Sequence, residues 1–385
     1  MILMQTKAIF IDAYRELNAK KLFWLTMVIN LLAVFIFASI GINEKGFSAL
    51  FWTFDGQFNT SMMSAETFYK LQFLLWGVPY WLSWGTTILA LISTAGIIPD
   101  LVSGGTIEPM LSKPIGRGRL FLTKYLTGLF FVGAQILVFT IGCFLVLLLR
   151  AGTTEFGLFL TIPIVLAFFS FLFSVCVFVG IVTRSTITAL LLTIMFWLML
   201  FILNVGDSIM INQRERALMK AESMPAMVEQ QERFAQTKID RWIDEGKPVP
   251  GMDGEPLPAG AKDSLEAVST ALMIAREEAD DAEKSVKTWT AWAARVYGAK
   301  LLLPKTQETI GLLSRHLIED DELDGLINLM NDNNENSENG PNSELNQRVA
   351  AVYEARTMTW ILGTSFAFEA FLLGLSTIIF IRRDF

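Results

Sequence analysis

Residues 104–149 read GGTIEPMLSKPIGRGRLFLTKYLTGLFFVGAQILVFTIGCFLVLLL. A short, basic, turn-rich segment gives way to Tyr125–Leu149, which holds no Asp, Glu, Lys or Arg. That run exceeds the roughly 18–20 apolar residues that cross a bilayer as a helix. Leu71–Ile98, Phe156–Thr183 and Ser185–Gly206 are equally free of charge, Leu22–Gly41 forms another such window, and Thr357–Ile381 is interrupted once, by Glu369. Composition agrees: 52% of the 385 residues are hydrophobic and 18% charged, against about a quarter charged in soluble domains. The pattern predicts an all-α membrane protein with six transmembrane helices, at about 22–41, 71–98, 125–149, 156–183, 185–206 and within 357–385, in contact with the lipid bilayer.

The first window follows a charged stretch and precedes no small-residue cleavage site, so it reads as a retained span rather than a secretory signal. Cys143 and Cys176 both lie in apolar windows, which leaves no disulfide framework, and His316 is the single histidine. Six spans put both termini on one side, and Lys and Arg in short segments choose it. Lys7, Arg15, Lys20, Lys21, Lys113, Arg117, Arg119, Lys124, Arg184, Arg382 and Arg383 share the side of the termini; only Lys45, Lys70 and Arg150 fall in short loops opposite. Both termini are therefore expected in the cytoplasm.

Residues 1–21 carry TKAIFIDAYRELNAKK, with apolar residues on one helical face, the pattern of a helix in the cytoplasmic interface or of one packed on a partner. Residues 207–356 form a large, mostly helical extracytoplasmic insertion between spans five and six. They hold 28 acidic and 17 basic residues, a net charge of −11 in a chain whose total is −7. Within them PVPGMDGEPLPAG is a turn-dense linker and NDNNENSENGPNSELN a polar loop. The acidic run 319–322 reads as a solvated helix end or a cation site. Trp289, Trp292 and Tyr297, like FSALFWTFDGQF between the first two spans, suit either the headgroup region or a small core.

Enzyme chemistry has no foothold here. No G-x-x-x-x-G-K-[ST] loop occurs, one histidine excludes H-E-x-x-H, and the spans contain no aspartate pair. No catalytic, cofactor-binding or metal-ligating residue is expected, and no nucleic-acid partner. Glu369 is the intramembrane polar candidate: a charged carboxylate at mid-bilayer costs on the order of 3 kcal/mol, so it is expected to face the helices or to be protonated, with Thr364 and Ser365 as partners.

At the cytoplasmic face, Pro99 is expected to end the second span. Gly104 and Gly105 permit a turn, and Thr106 caps a short helix with Glu108 in its first turn. Lys113 and Pro114 stop it, and Arg117, Arg119 and Lys124 mark where the third span enters lipid. The loop 99–124 resembles the signature of ATP-binding-cassette permeases of the type-2 exporter superfamily: Gly105-Thr106-Ile107-Glu108-Pro109-Met110-Leu111, then Pro114-Ile115-Gly116-Arg117, then Lys124. The turn GIVTRSTITALL and the closing IRRDF are similar to that family too, and permeases serving multicopper-enzyme maturation or gliding machinery are nearest. Pro109 and the large outer segment depart from the pattern. The resemblance implies a permease subunit in the plasma (inner) membrane, an exporter working as a homodimer or heterodimer with a second permease copy. ATP would be bound and hydrolysed by separate soluble ATPase subunits seated on the loop. The other reading is a non-transporting anchor or signalling protein whose outer helical domain binds a partner.

Overall fold

The computed structural model describes residues 11, 15, 21–55, 59–61, 63–103, 116–249, 251, 262–317 and 341–382. The expected helix at 106–112, the acidic run 319–322 and the loop NDNNENSENG lie outside them, as does 1–20 except for Ile11 and Arg15, which are helical and exposed. The chain divides into two compact units, Met1–Ile202 with Leu301–Asn333 and Thr357–Phe385, and Leu203–Lys300 with Asn334–Arg356.

In the first unit α1 (Lys21–Ser39) is apolar on every face. Trp24, Val28, Leu32 and Phe35 are exposed along it, as on a helix whose solvent is lipid. A feature absent from the all-α expectation follows at once, a three-stranded antiparallel sheet of β1 (Ile40–Asn43), β2 (Gly46–Ala49) and β3 (Trp52–Asp55), in that order. Asn43 Oδ1 accepts from the N–H groups of Lys45 and Gly46 and tightens the first turn, with Gly46 at φ 142°. The second turn puts Leu50 in the left-handed region at φ 55°, which costs a side chain about 1–2 kcal/mol.

Ser64 caps α2 (Ala65–Gln72) by accepting from the N–H of Thr67 at 3.0 Å. The helix continues as a π-helix, Phe73–Thr86, and then α3 (Thr87–Thr94). Pro79 lies within the π segment; its ring cannot sit over an α-helical carbonyl four residues back, and the wider winding relieves that clash. Ser83 and Thr87 hydroxyls donate to carbonyls five residues back, Val78 and Leu82, at 2.9 and 3.0 Å. The run turns at Ala95–Gly96, not at Pro99. Pro99 stands in the first turn of α4 (Ile97–Ser103), where a missing N–H leaves nothing unpaired.

Next come α5 (Arg117–Arg150), a 3-10 turn (Phe156–Leu160), α6 (Thr161–Thr183) and α7 (Thr186–Asp244). Among the described residues five helical runs are long and apolar enough to cross a bilayer, Ala65–Leu101, Arg117–Arg150, Phe156–Thr183, Thr186–Asp244 and Met358–Arg382, and Phe23–Ser39 is a shorter apolar helix. The run Phe156–Thr183 is central, with 78% of its most apolar window buried against 22% for Met358–Arg382. Its serine hydroxyls donate back to main-chain carbonyls, Ser174 to Phe171 O at 2.8 Å, so little polarity is left for lipid.

The outer segment expected over 207–356 is divided by its contacts. Ile310, Leu312, Leu313 and Leu317 are buried in the same core as α5 and α6, so this stretch belongs with the apolar helices. The second unit holds the remainder of α7, with α8 (Lys262–Val268), α9 (Thr270–Leu301) and α12 (Pro341–Glu354); α10 (Thr306–Gly311), α11 (Ser314–Leu317) and α13 (Met358–Arg382) complete the first. Helix α7 does not stop at the end of its apolar window but runs on through Gly206 to Asp244. Along α7, Asp207 pairs with Lys300 and Glu232 with Arg276, so α7 and α9 run antiparallel. Buried alanines at 217, 235, 275 and 282 permit close approach. Trp292 and Tyr297 are exposed, with the Arg295 and Arg356 guanidinium groups over their rings, and form no core.

At one end of this unit Asp207, Lys300 and Arg356 are buried together. Lys300 Nζ and Arg356 Nη1 each lie 2.8 Å from Asp207 Oδ2. Burial opposes ionisation of Asp207, but the hydrogen bonds from Arg356 and Lys300 outweigh it and hold the carboxyl below the usual carboxylate range.

Candidate functional site

Of the residues expected to form the ATPase-coupling loop, Gly104, Gly105, Thr106, Glu108, Lys113 and Pro114 lie outside the described residues, whereas Arg117 and Lys124 are described. Both flanks of the loop are fastened to the helices. On its N-terminal side Gly180 of α6 makes room for Pro99, since a Cβ there would meet Pro99 Cγ at 2.9 Å. Thr186, at the start of α7, donates its hydroxyl to Asp100 Oδ1 at 3.3 Å. The turn between α6 and α7 is closed by Arg184, left-handed at φ 55°, whose N–H reaches Gly180 O at 2.9 Å.

On the C-terminal side, Arg117 Nη1 donates to Ile381 O at 3.2 Å. The last carbonyls of α13 have no helical donor and carry the negative end of its dipole, so a guanidinium suits them. Gly118 permits the approach: a Cβ there would lie 3.2 Å from Ile381 Cδ1. Lys124, expected at the membrane edge, is only 2% exposed. Because α5 already begins at Arg117, Lys124 falls a turn beyond Leu120 on the face that packs into the core.

The second cluster surrounds Glu369 of α13, which is buried against α5 and α6. Tyr125 of α5 donates its hydroxyl to Glu369 Oε1 at 2.7 Å, and Ser170 of α6 donates to Oε2 at 2.7 Å. Sequence nominates Thr364 and Ser365 for this role, but their hydroxyls donate to Trp360 O and Ile361 O one turn back along α13. Ser365 Oγ also accepts from the N–H of Lys305 at 2.9 Å. Among the described residues no ion pair includes Glu369.

Both donors to the carboxylate have a second acceptor within reach. Tyr125 OH lies 3.2 Å from Ser170 O, and Ser170 Oγ 2.8 Å from Ala167 O. An ionised Glu369 accepts a hydrogen bond from each hydroxyl. A protonated Glu369 donates its own O–H to one hydroxyl oxygen, which turns its hydrogen to the main-chain carbonyl. The site thus satisfies either charge state with no movement larger than a hydroxyl rotation.

The Tyr125 ring stacks on Phe173, centroids 5.1 Å apart, and Phe173 on Phe169 at 5.4 Å. Gly128 accommodates that stack, for a Cβ would come within 2.8 Å of two Phe173 ring atoms and 3.1 Å of Ile97. Gly128→Ala should lower stability by about 1–3 kcal/mol through overpacking. Gly133→Ala on the same helix meets only Leu166 at 3.7 Å and should gain about 0.5–1 kcal/mol. Thermal melts of both variants in detergent check this, and equal midpoints would refute the tight stack.

Among the described residues no group of three metal-ligating side chains is found. No family model, curated protein or solved structure matches the chain.

Proposed function

We propose that this chain is the membrane-spanning permease subunit of an ATP-driven transporter, an exporter that pairs with a second permease copy and with separate ATPase subunits. Its termini face the cytoplasm, and six spans carry the two short cytoplasmic turns on which an ATPase would press. The observation that supports this best is the fastening of the loop's flanks. Asp100 with Thr186 and Arg117 with Ile381 O connect one loop to α4, α5, α7 and α13, so a push on it reaches four helices through short contacts. Glu369 is then the intramembrane polar group of the permease, able to take up and release a proton as the helices move.

The test is whether the purified protein retains a soluble ATPase that carries a phosphate-binding loop. Glu108→Lys and Gly105→Val should insert and dimerise normally, yet abolish ATPase retention or stimulated hydrolysis; substitutions in NDNNENSENG should do neither. Wild-type retention and stimulation in both loop variants would refute the coupling role.

A further inference from the structure

Strand register sorts the sheet side chains into two faces of opposite character. Ile40, Ala49 and Trp52 are paired across the strands, as are Ile42, Phe47 and Phe54, which places all six on one face. The other face holds Gly41, Ser48 and Thr53, then Asn43, Gly46 and Asp55. In a protein surrounded by water the apolar face turns inward. Here the buried residues of β1 and β2 are on the polar face, and β3 is exposed on both faces.

Gly41 and Gly46, on the polar face, are buried, and a Cβ on Gly41 would meet Tyr69 OH at 2.7 Å and Arg150 Nη1 at 3.6 Å. On the apolar face Trp52 is 71% and Phe54 60% exposed and Ile40 is exposed, while Phe47 is partly covered by Phe68, ring centroids 5.6 Å apart. At the tip, left-handed Leu50 is followed by Phe51, 95% exposed. Burying one such aromatic ring contributes about 1.5–3 kcal/mol, so an uncovered face of this kind is a large unfavourable surface in water.

Placement identifies what covers it. No residue separates α1 from β1, and the 19 residues of α1 rise about 28 Å, close to the ~30 Å hydrocarbon thickness. With α1 across the bilayer, the sheet starts where the lipid headgroups start. Phe35 and Ile36 at the end of α1 are exposed, as is Ile40 at the start of β1, and Trp76 and Tyr80 of the π-helix are exposed as well. No charged residue stands on the apolar face. One constraint limits the depth: β3 is an edge strand, and its unpaired backbone groups need water that the hydrocarbon interior lacks.

We infer that the sheet is a lipid-binding platform, lying with Trp52, Phe54 and the tip residue Phe51 in the headgroup–acyl boundary of the bilayer that α1 crosses. It does not rest on the transport reading and holds equally for an anchor protein. The occupant is phospholipid, neither a partner protein nor a second copy of this chain.

Nitroxide labels separate these occupants. Cysteines at Phe51 and Phe54, with Thr53 as the polar-face control, are introduced in full-length protein whose Cys143 and Cys176 are replaced by Ala. The protein is reconstituted in vesicles of phosphatidylcholine and phosphatidylglycerol. Relaxation by dissolved oxygen and by a water-soluble nickel chelate then reports depth. Labels at 51 and 54 should be several-fold more accessible to oxygen relative to the chelate than the label at 53. Free access of the chelate to 51 and 54 would mean that the face stands in water, and would overturn the inference. Exclusion of both reagents would mean that protein covers it, which also overturns it, and dipolar distances between labelled copies would show whether that protein is a second chain. Because Phe51 is 95% exposed, its replacement removes almost no internal packing.

Discussion

Asp207→Ala should destabilise the second unit by about 3–5 kcal/mol, the cost of leaving a buried charge without its counter-ion. The single carboxylate serves two cations, Lys300 and Arg356, and none of the three groups has appreciable exposure. A denaturant titration of the full chain in detergent, followed by protease susceptibility of α9 and α12, measures the loss. Adding Lys300→Met and Arg356→Leu to Asp207→Ala should recover much of it, since the stranded charges go with the carboxylate. An unchanged midpoint in the single variant would show that water solvates the cluster. The pH dependence has a definite sign. The folded-state pKa of Asp207 is depressed, so its contribution is complete above the ordinary carboxylate pKa, about 3.9. It is lost as pH falls below that value through the folded pKa. Asp207→Asn should remove this component of acid destabilisation.

The second large effect is expected at Glu369. Glu369→Gln keeps the length of the side chain, its carbonyl oxygen can still accept from Tyr125, and its amide can donate to Ser170 Oγ, which then donates to Ala167 O. Stability should stay within about 1 kcal/mol of wild type, the net worth of one hydrogen bond. In the transport role proposed above, turnover should nevertheless fall by about 100-fold or more, the scale on which a lost positioned proton-transfer group acts. Tyr125→Phe is the counterpart. It removes a donor but keeps the ionisable group, so it should cost about 1–3 kcal/mol with a smaller loss of turnover. Wild-type turnover in Glu369→Gln would reduce the cluster to a packing device joining α5, α6 and α13.

What could be read from the sequence here follows from the range of each interaction. Apolar windows are local, and those around 71–98, 125–149, 156–183, 185–206 and 357–385 all became helical runs. Glu369 stood out because one charge interrupts an apolar window. Its donors did not, since Tyr125 and Ser170 lie 244 and 199 residues away in sequence and hydroxyls are unremarkable in such helices. The same holds for Lys300 and Arg356, although the signal was present: Asp207 is the first charge after one window and Arg356 the last before another. The period-two alternation over Ile40–Asp55 is present in the sequence, but aromatics crowd it and apolar residues near a membrane suggest helix first.

The carboxylate site also has a consequence for how the chain is made. Residues leave the ribosome in order, so Tyr125 and Ser170 enter the membrane long before Glu369 is translated. During that interval neither hydroxyl is orphaned, because Ser170 O and Ala167 O stand ready to accept their protons. At this site the early helices can therefore wait for the last one with both hydroxyls satisfied. Arrival of α13 turns those two hydroxyls to Glu369 and brings Ile381 O to Arg117, so a nascent chain truncated before residue 369 would carry no polar defect there for quality control to detect.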